Sequence, residues 1–120
     1  MTRTRFPRRL YAQGTEPDAR FSLANERTLL AWLSLGLALL SVGVALHSFA
    51  NPLSDTARDL ASGLLLAGGT LTPVLAWVSW WRTESALRRG TPLPAPVGLP
   101  MAVLVTTAVA AIVAVDLLWP

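Results

Sequence analysis

The sequence has no cysteine, no lysine and a single histidine, His47. Without cysteine there can be no disulfide, no thiolate metal ligand and no cysteine nucleophile. One imidazole does not make a metal cluster. Charge is also scarce: Asp, Glu, Lys and Arg make up 14% of the 120 residues, against about 25% in an ordinary soluble domain. The seven acids are scattered, with no nucleophile–base pair and no glycine-rich phosphate loop. The expectation is a non-enzymatic protein with no metal and no cofactor.

What remains is apolar. Hydrophobic residues are 52% of the chain, and the mean hydropathy is +0.48. Three charge-poor windows stand out, 29–49, 60–81 and 99–119. At about 1.5 Å per residue each reaches about 30 Å, the thickness of a bilayer's hydrocarbon core. Three such windows in so short a chain leave too little polar surface to dissolve them as buried helices of a soluble protein. The fold expected is all-α, a three-helix transmembrane bundle. Residues 1–17 read as a flexible basic tail and residues 18–120 as the membrane domain.

Punctuation between the windows agrees. Asn51-Pro52 ends the first span, and Thr56-x-x-Asp59 reads as a capping box for the second. Beyond Trp81 the second helix is expected to continue through RTESALRR, with Glu84 and Arg88 at i,i+4 and Gly90 as its stop. Pro73 clashes with the Gly69 carbonyl four residues back, which predicts a kink near Gly68-Gly69. Pro92, Pro94, Pro96 and Pro100 then make a stiff connector to the third span.

Orientation follows from the ten basic residues, all arginine. Arg3, Arg5, Arg8, Arg9, Arg20 and Arg27 precede the first span, and Arg82, Arg88 and Arg89 follow the second; only Arg58 lies in the other loop. The positive-inside rule makes the arginine-rich side cytoplasmic, with the carboxyl end outside. Trp32, Trp77, Trp80 and Trp81 mark the inner boundary and Trp119 the outer one. The first window exceeds the roughly 7–15 residues of a signal-peptide core, so it reads as a retained span despite the small-x-small triplet Ser48-Phe49-Ala50. The basic tail suits an anionic inner leaflet, where each arginine is worth about 1 kcal/mol. Lipid is thus the first partner expected, and nucleic acid is not.

Glu26 and Arg27 are adjacent, so on a helix they diverge. Steps of four and three from Arg27 give Ala31, Ser34, Ala38, Ser41, Ala45 and Ser48, all small and half of them hydroxylated. Leu29, Leu30, Leu33, Leu37 and Leu40 lie on the other positions and are expected to face lipid. Two readings of the seam stay open. One is close helix packing; the other is a polar path on an oligomer axis, with Arg27 repeated as an anion-attracting ring. Gly98, Ala102, Thr106, Ala110 and Ala114 form a further small-residue ridge in the third span, and Gly63 and Ala67 a short one in the second. Tight faces on all three helices point to a homo-oligomer. Asp116 and His47 sit at the outer boundary, where reaching water is the simplest role for each. Across the inner boundary, Glu26 is expected to pair with Arg82 and Arg27 with Glu84.

The stretch FSLANERTLLAWLSLGLAL, with the later WVSWWRTESALRRGTPLP, resembles the YidH-like membrane proteins, domain-of-unknown-function family two hundred and two. Leu23, Ala24, Asn25, Glu26, Arg27, Thr28, Ala31 and Trp32 carry the motif. The resemblance implies three helices in a bacterial inner membrane and no assigned activity. More distantly it is similar to the membrane domain of the vacuolar transporter chaperone complex, which implies subunits assembled around a polyphosphate path lined by basic side chains. Where the family has Arg-Thr after L-A-W, this chain has Ser34-Leu35. The missing cation would have lain on the Arg27 seam, which favours a scaffold or regulatory subunit of a membrane complex, with a membrane-protein partner, over a phosphate or polyphosphate conduit.

Overall fold

The computed structural model describes residues 7–95 and 98–119, and all its regular structure is helical. A single turn, α1 (Arg8–Tyr11), precedes three long helices: α2 (Ala19–Ser48), α3 (Asp55–Arg89) and α4 (Gly98–Leu118). All three long helices are long and apolar enough to cross a membrane. The molecule is a rod, 64 Å long and 20–24 Å across.

Two helices are longer than their apolar windows, and this creates the region of interest. α2 has 30 residues and α3 has 35, about 45 and 52 Å, whereas the hydrocarbon core is about 30 Å. α2 starts ten residues before its window because Asp18 caps it: the Asp18 carboxylate accepts from the Arg20 N–H at 2.9 Å. α3 runs on to Arg89 as expected. It stops at Gly90, which takes the left-handed conformation (φ 68°) that releases the chain into the connector. The two extensions lie side by side at the arginine-rich end.

The cap of α3 differs from the sequence reading. Ser54, not Thr56, is the N-cap, its Oγ accepting from the Ala57 N–H at 3.2 Å. α3 continues unbroken through Pro73, and Thr72 donates to the Gly68 carbonyl at 2.6 Å beside it.

α3 is the central helix, with α2 and α4 packed against it. Backbones approach most closely where glycines face each other. A methyl on Gly69 would fall 2.7 Å from Leu40 Cγ and 2.9 Å from the Leu40 backbone nitrogen; one on Gly36 would fall 3.2 Å from Thr72 Cβ. Gly43 meets Leu65 and Leu66 one heptad further on. The packing stripe of α2 is therefore Asn25, Leu29, Trp32, Gly36, Leu40 and Gly43. That stripe lies roughly 160–180° around the helix from the Arg27 seam at 100° per residue.

Packing within one chain sorts these faces as follows. The seam residues Ala31, Ser34, Ala38 and Ser41 are exposed and Ala45 only half-buried, so the seam makes no contact face with α3. Leu29, Leu33 and Leu40, expected to face lipid, are half-buried, while Leu30 and Leu37 are exposed. In α4 the ridge starts on the packing face, with Gly98 buried against Trp32 and Ala102 half-buried, but Thr106, Ala110 and Ala114 are exposed. Steps of four advance 400°, so a strict i+4 row drifts about 40° per step off any straight interface. Gly63 and Ala67 of α3 are likewise exposed.

Candidate functional site

Side by side, the extensions of α2 and α3 enclose a polar knot built from the first motif. Ser22 and Asn25, one turn apart, point at Glu84, which is 3% exposed. The Ser22 hydroxyl donates to Glu84 Oε1 at 2.9 Å. The Asn25 amide donates to the Trp80 carbonyl at 3.1 Å and to Glu84 Oε2 at 3.4 Å. Both carboxylate oxygens thus have a donor, which is what keeps a buried carboxylate tolerable. Trp80 and Glu84 are one turn apart on α3, so one amide can reach both. The indole N–H of Trp80 is buried with no hydrogen-bond partner among the described residues, and its ring lies 5.0 Å from that of Trp77.

The expected ion pairs are absent. Among the described residues Glu84 has no cation within ion-pair distance; its donors are Ser22 and Asn25. Arg27 points away from α3 with the rest of its seam. Glu26, Arg27 and Arg82 are all exposed and have no ion-pair partner among the described residues. Trp32, also in the motif, is half-buried and lies over Gly98, which ties α2 to α4. Of the six residues singled out at this end, the structure brings Asn25 and Glu84 together and leaves Glu26, Arg27 and Arg82 outside.

A second, unforeseen cluster lies at the end of α3. Arg88 is 6% exposed and has no carboxylate against it among the described residues. Instead it donates to the backbone carbonyls of Tyr11 at 2.8 Å and Gln13 at 3.0 Å, and its guanidinium stands 5.2 Å from the Tyr11 ring centre. The Thr15 N–H returns a bond to the Arg88 carbonyl at 3.1 Å. Gly14 (φ 52°) lies against that carbonyl, where a side chain would collide. Residues 7–15, expected as part of a flexible tail, are therefore docked on α3, with Leu10 fully buried. Residues 1–6 of that expectation lie outside the described residues.

At the opposite end Asp116 is not simply reaching water. Its carboxylate accepts from the Ser54 N–H at 2.9 Å and the Ser54 hydroxyl at 2.6 Å, so α4 supplies a second cap for α3, where the helix dipole favours an anion. His47 Nδ1 lies 3.7 Å from Asp59 Oδ1, both well exposed, and such a pair is worth about 0–1 kcal/mol. Outside the spans, Asp18 has its pKa held below the usual carboxylate value by the Arg20 side chain first and the Arg20 N–H second. Among the described residues no group of three or more His, Cys, Asp or Glu converges as metal ligands would.

Asn25 could have been picked out by its register. Ser22, Asn25, Leu29, Trp32, Gly36 and Gly43 follow three–four spacing on one stripe, and only its upper end is polar. Arg88 gives no such signal, because its partners are backbone carbonyls 75 and 77 residues away.

These residues fall within a known sequence family. Residues 20–86 match the profile described as Domain of unknown function (DUF202), a stretch that takes in Ser22, Asn25, Trp80 and Glu84. The chain is 40% identical over 84 residues to the uncharacterized protein Rv2272 of Mycobacterium tuberculosis, covering 69% of each chain. It is 38% identical over 101 residues to the inner membrane protein YidH of Escherichia coli (strain K12), covering 83% of this chain and 88% of that one. No solved structure matches, and the wider likeness to the vacuolar transporter chaperone complex draws no support from these relatives. With a matched stretch spanning α2 and most of α3, and three helices able to cross a bilayer, the chain belongs to the DUF202 family of membrane proteins.

Proposed function

We propose that this protein is a non-enzymatic, multi-pass subunit of a bacterial inner membrane, with its arginine-rich end in the cytoplasm, that self-associates through the outward seam of α2. The placement rests on the arginine distribution and on the name of its relative YidH. One observation carries the self-association. α2 satisfies its neighbour α3 with one stripe and keeps a second, narrow stripe unused on the far side. On that stripe Ser34 makes no hydrogen bond among the described residues, and Arg27 makes no ion pair. A small-residue stripe lets a second backbone approach, and a neighbouring chain gives the free hydroxyl and guanidinium partners that acyl chains do not. Light scattering on the detergent-extracted protein tests the reading. A particle that is a multiple of 12.8 kDa is expected, and a strictly monomeric one rejects it.

The exposed, unpaired guanidinium of Arg27 also favours a second reading, in which the assembled seams enclose an anion path with Arg27 as its entrance ring. Phosphate or polyphosphate flux into liposomes, compared with that of Arg27→Ala, decides it. Flux that is absent, or indifferent to the substitution, rejects the path and leaves the scaffold standing.

A further inference from the structure

The docked amino-terminal segment builds a pocket that neither α3 nor the connector could make alone. It has a volume of about 360 Å³ and is lined by Gln13, Trp81, Arg82, Ser85, Ala86, Arg89, Thr91, Pro92 and Pro94. Arg82, Ser85, Ala86 and Arg89 are spaced i, i+3, i+4 and i+7, so they form one stripe of α3. The two arginines therefore belong to the same wall, with their backbone positions about 10 Å apart along the axis. Gln13 closes the pocket from the segment that Arg88 clamps, and the proline-rich connector closes it below.

Three features specify the occupant. The lining carries two cations and no acid. Among the described residues neither Arg82 nor Arg89 has an ion-pair partner, so both charges remain available. Among the described residues the Ser85 hydroxyl and the Gln13 side-chain oxygen are buried without a hydrogen-bond partner, which is costly unless something else supplies one. An oxyanion satisfies the arginines and the serine. A hydroxyl on the same ligand can donate to the Gln13 oxygen.

The pocket's level in the membrane points to the ligand's source. α3 leaves its apolar run at Trp77, Trp80 and Trp81, a belt of the kind that sits at the membrane–water boundary. Arg82 is the next residue and Arg89 lies two turns further out. Lipid phosphates occupy that layer, and basic pockets between spans at this depth hold anionic head groups.

We propose that this pocket binds a phosphate group bearing a hydroxylated substituent, presented by an anionic glycerophospholipid. Arg82 and Arg89 hold the phosphate, with Ser85 and Gln13 completing the contacts. The site differs from the general attraction of a basic tail to an anionic leaflet, because it is discrete and saturable. It does not depend on self-association.

The test uses the full chain in phosphatidylcholine nanodiscs with or without phosphatidylglycerol. Native mass spectrometry is expected to find phosphatidylglycerol retained in preference to phosphatidylcholine. Retention should fall about 30-fold in Arg82→Gln/Arg89→Gln, as expected for two arginines near anionic lipid, and stay unchanged in Arg58→Gln at the other end. Hydrogen exchange, which needs no variant, should slow over residues 11–15 and 90–95 only when phosphatidylglycerol is present. Equal retention of the two lipids, or retention indifferent to the double substitution, overturns the site. Protection by inorganic phosphate equal to that by the lipid overturns the lipid as its source.

Discussion

Replacing Asn25 with alanine removes a side chain that bonds both Trp80 and Glu84, and the cost can be built up from its contacts. Hydrogen bonds between helices in membrane proteins average about 0.6 kcal/mol and reach about 1.7. The 3.1 Å bond to the Trp80 carbonyl belongs in that range, and the 3.4 Å bond to Glu84 at its lower end. The loss also orphans one oxygen of a buried carboxylate, which adds about 1–3 kcal/mol. Asn25→Ala should therefore cost about 2–4 kcal/mol. Glu84→Gln should cost less, because the new amide can keep its oxygen toward Asn25 and donate to the Ser22 hydroxyl, which can also accept. Unfolding in a detergent–SDS titration, followed by helical circular dichroism, measures both. The double-mutant cycle of Asn25→Ala with Glu84→Ala should show coupling of about 1–2 kcal/mol. Effects that simply add to within about 0.5 kcal/mol, or an Asn25→Ala cost below that, would refute the idea that these residues form one knot.

Gly69→Ala places a methyl against the Leu40 backbone and should destabilise by about 1–3 kcal/mol; Gly63→Ala, which meets nothing within 4 Å, should show no loss in the same titration. Arg88→Ala should release residues 7–15, seen as protease cleavage near Gly14 that the parent resists, because two backbone carbonyls and the Tyr11 ring lose their cation. An NMR titration of the Asp18 carboxyl should give a midpoint below 3.8. The sign follows from the depressed folded value: the cap contributes at higher pH and is lost as pH falls through that midpoint, and a midpoint at or above 3.8 contradicts the cap.

The spans were legible because twenty-residue apolar runs admit few structures, and the Gly90 stop because a left-handed glycine after two arginines is a local signal. The capping site was displaced by two residues because Ser54 and Thr56 are both good caps. What separates them is Asp116, 62 residues away. The seam residues of α2 share a face by their spacing alone. Which of two faces meets α3 was not legible, since Arg27-Ala31-Ser34-Ala38 and Asn25-Trp32-Gly36-Gly43 are both plausible packing stripes. Gly36 decides it, because only the second stripe places a glycine opposite Gly69 and Thr72. The ion pairs failed for a related reason. Turning Asn25 inward turns Arg27 outward, and Glu84 is then met by neutral donors.

The natural absence of cysteine allows a direct test of the face that α2 leaves free. Single cysteines at Ser34 and Ser41, oxidised in native membranes, should each give a disulfide-linked dimer, while one at Leu104 on the exposed side of α4 should not. If Ser34→Cys and Ser41→Cys stay monomeric, or link no better than Leu104→Cys, the seam is a lipid-facing surface and the proposed self-association is wrong.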